Sequence, residues 1–415
     1  MAVFRPFRAI RPATELAAAV AALPYDTMNR QEAKDRARDN PHSFLHIDMA
    51  EIDLPDEVDP YDDRVYAAAA AKLRAMIAEG SFRQAPAAQF YIYRQTWKGR
   101  SQLGLVGCAS IGDYKNNVIK KHELTHPEKE TDRIRHVTAC NANTGPIFLT
   151  YRDTGGVAEL LEDLRARRDC EVSFTSGGVL QEIWTIDDAA LIRRLQALFA
   201  ELPALYIADG HHRCASAYHV GAQRRADFPG STGEEEFNFF LAVAFPESQL
   251  AILDFNRVVR DTNRMDAETL LSRIGDLFSV EYYAPEGQPY HPEARHYFGM
   301  LLDGKWYKLR ARRGAFDEGN AIARLDVEIL QNNLLSPILG IRDPRRDRRI
   351  EFVGGIRGLE ELERRCREDM KLAFAMHPTT TGELMEIADS GNIMPPKSTW
   401  FEPKLLSGLF IHDLE

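Results

Sequence analysis

The fold of this chain is decided around Tyr206-Ile207-Ala208-Asp209-Gly210-His211-His212-Arg213. The apolar residues that end at Ala208 predict a buried strand, and residues 214–219 predict a helix. Gly210 lets the backbone turn sharply between the two. The turn therefore places two imidazoles and a guanidinium in the first turn of a helix. That end of a helix carries free N–H groups and partial positive charge, so it binds anions, phosphate above all.

An ordinary helix start is the alternative interpretation of this turn. Asp209 would then be the N-cap, followed by a solvated basic turn. This explains Asp209 but not the His-His-Arg sequence, because cations are disfavoured at that end of a helix. Burying the three side chains together without water would also be costly. We therefore predict an anion site, with these side chains lining a polar cleft.

Composition places the chain among ordinary globular proteins. Its 415 residues are enough for two or three domains, and 44% of them are hydrophobic and 27% charged. The net charge of -10 argues against a general nucleic-acid partner. The five cysteines show no C-x-x-C spacing, which favours free thiols in a reducing cytoplasm. No targeting segment is visible, and the run Ala67–Ala71 is too short for a membrane span.

Strands and helices alternate along the chain, and we predict a mixed α/β (α+β) fold in which mixed sheets are flanked by helices in a bilobal arrangement. We expect three regions. Residues 1–150 carry a His-Glu-x-Thr loop, residues 151–262 carry the Asp-Gly-His-His-Arg turn, and residues 263–415 carry a Pro-Pro-Lys-Ser-Thr loop. A hairpin is predicted around Asp303-Gly304 in the last region.

The first of these loops contains a literal H-E-x-x-H sequence, His122-Glu123-Leu124-Thr125-His126. On a helix this spacing would hold zinc, with Glu123 as the general base. Pro127 follows at once and disfavours a helical conformation for His126, which argues against a zinc protease. We predict a polar loop with His122 and Glu123 facing a cleft, and a helix that begins near Thr131. A solvated surface turn is the alternative.

Two further segments offer polar groups. In the C-terminal loop, Lys397, Ser398 and Thr399 follow two prolines, which suits a rigid phosphate contact, although an arm that packs its aromatic residues on the core is an equal alternative. Neither a Walker A loop nor a G-x-G-x-x-G fingerprint is present, which argues against a P-loop kinase and a dinucleotide-binding domain. Near the N-terminus, Asp26 is predicted to cap the following helix.

Taken together, these segments resemble the bacterial and archaeal domain-of-unknown-function family 1015 over nearly the whole chain. In that family the position of His126 is not typically histidine, which weakens the zinc interpretation further. The resemblance rests on Pro24-Tyr25-Asp26, Asn40-Pro41 with Phe44-Leu45, His122-Glu123-x-Thr125, Asp132-Arg133, Asn143, Pro146-Ile147-Phe148, Ala208-Asp209-Gly210-His211-His212-Arg213 and Met394-Pro395-Pro396-Lys397-Ser398-Thr399.

The Asp-Gly-His-His-Arg turn is also similar to the phosphate-binding turn of the ParB/sulfiredoxin-like superfamily. One branch of that superfamily, the free-serine kinases, phosphorylates the hydroxyl group of an amino acid. This resemblance spans a few residues and implies a nucleotide-binding turn by analogy. It makes ATP or ADP, with Mg²⁺, the implied cofactors.

The predicted function is a phosphotransferase that acts on the hydroxyl group of a small metabolite, with free serine the first to try. The catalytic candidates are Asp209, as base or Mg²⁺ ligand, Glu123 as the second candidate base, and His211 and His212. The nucleotide would contact Gly210, His211, His212, Arg213, Lys397, Ser398 and Thr399. The substrate would contact Asp26, His122, Thr125, Arg133 and Asn143.

Two other classes stay open. The same groups could hydrolyse a phosphoester, or bind a phosphate or nucleotide as a regulatory protein without catalysis. The expected partners are a nucleotide and a small molecule, without a membrane. A regulatory protein could also bind nucleic acid as ParB proteins do, but the net charge of -10 argues against this partner, and a homo-oligomer is left open.

Overall fold

A computed structural model describes residues 2–154 and 156–415 of the chain. Its strands are β1 (Phe4–Arg5), β2 (Ile10–Pro12), β3 (Phe82–Gln84), β4 (Phe90–Trp97), β5 (Arg100–Ser110), β6 (Ile119–Lys120), β7 (Ala142–Asn143), β8 (Ile147–Tyr151), β9 (Val172–Ser176), β10 (Val179–Ile186), β11 (Leu205–Asp209), β12 (Phe239–Pro246), β13 (Ala251–Leu253), β14 (Phe255–Val259), β15 (Phe278–Pro285), β16 (Tyr297–Leu302), β17 (Lys305–Ala311), β18 (Ile350–Gly354), β19 (Leu372–Met376), β20 (Trp400–Glu402) and β21 (His412–Asp413).

Its helices are α1 (Ala17–Val20), α2 (Arg30–Ala37), α3 (Leu45–Asp48), α4 (Asp63–Ala78), α5 (Ile111–Lys115), α6 (Pro127–Cys140), α7 (Val157–Ala166), α8 (Ala189–Glu201), α9 (His211–Asp227), α10 (Ala267–Ile274), α11 (Asp326–Leu330), α12 (Glu360–Glu368) and α13 (Thr381–Asp389). Within the described ranges, no helix has the length and apolar character needed to cross a bilayer.

The chain divides into two compact units. The first contains Met1–Leu250 and Pro403–Glu415, and the second contains Ala251–Glu402. The three regions expected from the sequence do not follow this division. Residues 1–150 and 151–262 share one sheet, and the last thirteen residues belong to the first unit. Local sequence patterns identify strands, but they do not reveal which distant strands pair.

A mixed sheet forms the centre of the first unit. Among the described residues it has nine strands, in the order β6-β11-β8-β12-β5-β4-β10-β9, with β1 paired to β5. β6 runs parallel to β11, and β8 runs parallel to β12, while the other pairs are antiparallel. Apolar side chains of α7, α8 and α9, such as Leu161, Phe199 and Cys214, pack on this sheet. The mixed α/β fold class predicted from the sequence is confirmed.

The pairing of β6 with β11 positions the functional residues. Ile119 and Lys120 lie opposite Leu205 and Tyr206 in parallel register. Parallel neighbours leave their sheet at the same edge. The loop after β6, which carries His122 and Glu123, therefore emerges beside the turn after β11.

The C-terminal segment returns to the first unit. β21 pairs with β7, and Ile411 and Ser407 form isolated bridges with Ile10 and Ala22. Phe410 and Ile411 are fully buried. These contacts bring Lys404 and Ser407 into the unit that contains β11.

The second unit is built on an antiparallel sheet in the order β15-β17-β16-β19-β14-β18. Its hairpin of β16 and β17 turns at Asp303-Gly304, as predicted, and both turn residues have positive φ angles of 48° and 69°. An apolar core that includes Phe298, Leu309 and Phe374 covers one face of the sheet.

Two helix starts differ from those expected. α6 begins at Pro127 rather than near Thr131, since proline at the first helical position loses no hydrogen bond. α2 is capped by Asn29, whose side chain accepts the N–H of Glu32 in a capping box, and not by Asp26. Asp26 lies one turn earlier, in the 3-10 turn Tyr25–Thr27.

Candidate functional site

The turn between β11 and α9 has the predicted strand–turn–helix geometry. β11 is buried as far as Ala208, Gly210 has φ 92° and ψ 30°, and α9 begins at His211. Gly210 occupies the N-cap position, and no side chain in the described part of the chain caps this helix. The alternative in which Asp209 is the N-cap is therefore wrong. The N-terminal end of α9 keeps its capacity to bind an acceptor group.

Asp209 instead forms an ion pair. Its Oδ1 accepts the N–H of Gly210 at 2.9 Å, and its Oδ2 accepts a hydrogen bond from Lys404 Nζ at 2.7 Å. Burial opposes ionisation of this carboxyl group, but the ammonium of Lys404 and the Gly210 N–H hold its pKa below the ordinary value. The side chain is still 39% exposed. Asp209 is thus an ionised carboxylate that a solute can reach.

Lys404 was not predicted as a site residue. It lies between Pro403 and Leu405, seven residues beyond Lys397, and has no recognisable local motif. Only the return of residues 403–415 to the first unit brings it to Asp209. No pattern within a short sequence window could have identified this pair.

His211 is buried against the loop that carries His122 and Glu123. The rings of His122 and His211 meet edge to face with centroids 4.4 Å apart. His211 Nε2 accepts the backbone N–H of His122 at 3.4 Å, and Nδ1 lies 3.7 Å from Glu123 Oε2. The structure therefore brings the predicted residues His122 and Glu123 together with His211, which lies nearly ninety positions later in the sequence. In the described residues, these three also form the one group with metal-ligand spacing.

The imidazoles of the first helical turn are neutral rather than cationic. Burial, followed by neighbouring positive groups, lowers the pKa of both His211 and His212. His212 Nε2 accepts the N–H of His126 at 3.0 Å. The sequence argument treated these side chains as cations at an unfavourable end of a helix. Deprotonation removes that conflict, so the case for an anion site rests on backbone N–H groups and Lys404.

Arg213 is held by an internal network. Its Nη2 donates to Asp48 Oδ2 at 3.2 Å and to Ser407 Oγ at 3.1 Å. A Cβ atom on Gly145 would lie 2.2 Å from Arg213 Nη1, so glycine is needed there for the guanidinium to fit. Asp48 is buried, and although burial raises its pKa, Arg213 and its other neighbours hold that pKa below the ordinary value. The charge of Arg213 is balanced inside the protein.

Arg133 and Asn143, two predicted substrate contacts, line a cavity of about 20 Å³ together with Arg213. A space of this size accommodates roughly one water molecule, not a metabolite. Arg133 stacks on Tyr25 with its guanidinium 4.0 Å from the ring centroid, and it pairs with Asp132. The lining residues are Arg133, His136, Val137, Asn143, Thr144, Gly145, Ile147, Arg213 and Ser216.

The remaining predicted residues of the first unit are Asp26 and Thr125. Asp26 is exposed and lies near His212. Its negative charge acts to raise the pKa of His212, but burial of the imidazole has the larger effect and lowers that pKa. Thr125 Oγ1 donates to Glu130 Oε2 at 2.7 Å. Thr125 thus lies near the start of α6, and Asp26 near His212 in the first turn of α9.

The predicted phosphate loop belongs to the second unit. Lys397 has a positive φ of 58°, and its carbonyl group accepts a hydrogen bond from Arg257 at 3.1 Å. Ser398 Oγ donates to the carbonyl group of Pro395 at 2.6 Å. Thr399 follows directly before β20. The loop is held by internal contacts, as expected for a rigid segment. The contact of this loop with a nucleotide stays a prediction.

Comparisons with known proteins give one family and several solved structures. The model of the family described as "Protein of unknown function (DUF1015)" matches residues 4–328. No curated protein matches the chain. A mutant of a free serine kinase in complex with AMP is 12% identical, with a TM-score of 0.35, over 71% of this chain and 89% of that chain. SbnI from Staphylococcus aureus is 11% identical, with a TM-score of 0.38, over 73% and 85%. A conserved hypothetical protein from Pyrococcus furiosus is 14% identical, with a TM-score of 0.32, over 71% and 91%.

Proposed function

This chain belongs to the DUF1015 family of proteins of unknown function, and we propose that it is a nucleotide- and Mg²⁺-dependent phosphotransferase that acts on the hydroxyl group of a small metabolite. One observation carries the proposal. The N-terminal end of α9 lacks a side-chain cap within the described residues, and it lies directly beside the ion pair of Asp209 and Lys404. A group that binds phosphate, a cation and a carboxylate are among the groups that phosphoryl transfer requires.

The phosphate groups of the nucleotide would bind at the start of α9. Backbone N–H groups in the first helical turn donate to phosphate oxygens, and the helix dipole favours their negative charge. Lys404 adds a positive charge next to Gly210. The neutral imidazole of His212 adds a hydrogen-bonding group without excess charge. In this proposal Lys404 takes the role that the sequence assigned to Arg213, since Arg213 is paired with Asp48.

Asp209 is the proposed base or, through water, the Mg²⁺ ligand. Phosphate binding to Lys404 would leave Asp209 Oδ2 available to the acceptor hydroxyl or to the hydration shell of the ion. Mg²⁺ keeps several waters and needs few protein carboxylates, so a half-exposed aspartate fits it. When bound, the ion neutralises charge on the phosphate oxygens. Glu123 is the second candidate base, because its Oε2 lies 3.7 Å from Nδ1 of His211, the first residue of α9.

Free serine is the first acceptor to test. The reason is the resemblance of the Asp-Gly-His-His-Arg turn to that of free-serine kinases, which is an analogy between short motifs. Asp26 and Thr125 are the proposed acceptor contacts because both are polar and lie near His212 or the start of α6. Arg133 and Asn143 are assigned to positioning, since the space between them admits only water.

A thermal-shift series with AMP, ADP and ATP, each with and without Mg²⁺, tests nucleotide binding. A ligand of the native state raises the melting temperature by mass action. We expect a shift with ADP or ATP that Lys404→Met reduces, while Lys115→Met, a change at an exposed lysine, leaves it unchanged. A wild-type protein that shows no shift with any nucleotide contradicts the proposal.

Turnover of the nucleotide with serine then tests catalysis. Asp209→Asn should retain nucleotide binding and lose roughly 10²–10⁴-fold in rate, because the change removes the base or ion contact and keeps the shape. Asp39→Asn, at an exposed position, is the matched control. Release of phosphate without an acceptor would favour the phosphoester hydrolase. Nucleotide binding without any turnover would favour a regulatory protein.

A further inference from the structure

We propose that His122, Glu123 and His211 form a binding site for a first-row divalent transition-metal ion, with Zn²⁺ as the reference ion. This site is separate from the Mg²⁺ role proposed for Asp209, and the inference does not depend on the phosphotransferase. It also differs from the H-E-x-x-H pattern in the sequence, because His211 replaces His126 as the second imidazole.

The three side chains already have metal-site spacing. One donor atom from each lies within 4.8 Å of the other two. Zinc bonds to nitrogen and oxygen are about 2.0–2.2 Å, so two donors on one tetrahedral ion lie about 3.3–3.6 Å apart. Rotation of the side chains by about an ångström at the donor atoms would close the difference. The Glu123 side chain is 53% exposed, while both imidazoles are buried.

His122 supplies an independent sign of a missing ligand. Its side chain is buried, with 1% exposure, and within the described structure neither ring nitrogen has a hydrogen-bond partner. A buried polar group without a partner costs about 1–3 kcal/mol, and a bound ion removes that cost by accepting the lone pair of the ring nitrogen. The backbone carbonyl group of Ile207 lies close to this ring. It is the natural partner for the nitrogen that does not bind the metal.

His211 offers Nδ1 to the ion, because this ring nitrogen lies 3.7 Å from Glu123 Oε2. Ligation of His211 through Nδ1, which faces Glu123, would place its proton on Nε2 and open the long 3.4 Å contact with the His122 N–H.

The donor set selects the class of ion. Two nitrogen donors and one carboxylate suit zinc, iron, cobalt or nickel, whereas Mg²⁺ and Ca²⁺ prefer oxygen donors throughout. The carboxylate reduces the net charge of the site from +2 to +1. The protein supplies three ligands, and the Glu123 carboxylate among them is exposed to solvent. Further coordination positions on the ion therefore remain for water or a bound anion.

The fold explains why residues so distant in sequence meet here. His122 and Glu123 follow β6, and His211 follows β11, its parallel neighbour. His126 is excluded because residues 122–126 do not form a helix and α6 begins at Pro127. Its backbone N–H contacts His212, and the rings of those two histidines stack at 6.2 Å.

Cobalt binding to the metal-stripped full-length protein tests the site without any nucleotide. We expect one equivalent of Co²⁺ with visible d–d absorption bands, displaced by Zn²⁺. Glu123→Gln should weaken binding at least tenfold, and His211→Ala should abolish it. His126→Ala is the matched control and should bind as the wild type does, although it destroys the H-E-x-x-H pattern.

Glu123→Gln should leave the fold intact, because the side chain is 53% exposed, and circular dichroism of the variant checks this. A wild-type protein that binds neither Co²⁺ nor Zn²⁺ overturns the proposal. Equal losses in His126→Ala and Glu123→Gln would restore the sequence-motif site and also overturn it. A failed nucleotide shift, by contrast, bears on the phosphotransferase alone.

Discussion

At the scale of single residues, the environment of each ionisable group determines its chemistry. His211 and Arg213 are two positions apart, yet burial leaves the imidazole neutral while Asp48 keeps the guanidinium in an ion pair. Asp209 remains ionised because Lys404 and the Gly210 N–H outweigh its burial. Residue type alone suggested a cluster of cations. The partners of each side chain give a different charge pattern.

Lys404→Met tests the ion pair with Asp209. Without the ammonium, burial would raise the pKa of Asp209 from its native value, although the Gly210 N–H and Arg213 still oppose this effect. The native Asp209 has a lowered pKa, so its stabilising contribution is present above about pH 3.9 and is lost as the pH falls below it. We expect Lys404→Met to lower the free energy of unfolding by about 1 kcal/mol at pH 7, since the pair is half-exposed.

The measurement is urea denaturation at pH 7 and at pH 4. The difference between wild type and variant should shrink at the lower pH, where Asp209 of the variant is protonated. Lys115→Met should change the free energy of unfolding by less than about 0.5 kcal/mol, as exposed substitutions usually do. An equal loss at both pH values would show that the lost methylene packing, not the charge, matters.

At the scale of elements, the β11–α9 turn depends on one backbone conformation. Gly210 has a positive φ, and a Cβ atom there would meet Ile147 only at ordinary contact distances of 3.6–3.9 Å. The requirement for glycine is therefore conformational rather than steric. The same turn brings the His211 ring into contact with the His122 ring, with centroids 4.4 Å apart.

Gly210→Ala should lower the free energy of unfolding by about 1–2 kcal/mol, the usual cost of a left-handed conformation for an L-residue. Gly210→Asn should cost less, because asparagine tolerates this conformation. Chemical denaturation measures both. Gly230→Ala is the control, since φ is not left-handed there and nothing lies within 4 Å of the added Cβ. Equal stability of Gly210→Ala and wild type would contradict the assigned conformation.

At the scale of the whole molecule, the first unit buries several histidines in neutral form. His122, His136 and His211 are each at most 4% exposed, and burial is the largest cause of their lowered pKa values. The unfolded chain binds protons at these sites near pH 6.5, whereas folded His122 and His136 do so only near pH 4. Acid therefore favours the unfolded state of this unit.

The free energy of unfolding should consequently fall as the pH drops from about 6.5 towards 4, because the unfolded state binds more protons in that window. Urea titrations in EDTA at pH 7.5, about 6 and about 5 measure the slope. His136→Gln, which can keep the hydrogen bond to the Ile47 carbonyl group, should reduce that slope. A stability that is constant over this range would contradict the neutral, buried state of these histidines.

Local sequence patterns were enough to predict the strand–turn–helix at residues 206–213, the mixed α/β class and the interruption of the H-E-x-x-H pattern by Pro127. These features depend on local apolar periodicity, on glycine and on proline, whose effects act within a few residues. The sequence also indicated that Glu123, His122 and His211 are polar groups that core packing does not explain.

Which of these groups contact one another follows from tertiary contacts, which local sequence patterns do not reveal. The parallel pairing of β6 with β11 joins His122 and Glu123 to His211, and the return of residues 403–415 supplies Lys404 to Asp209. The same contacts assign Arg133 and Arg213 to a water-sized cavity and place the Lys397 loop in the second unit. Strand pairing and charge balance join residues that are tens to hundreds of positions apart, and no local pattern in the chain encodes those partners.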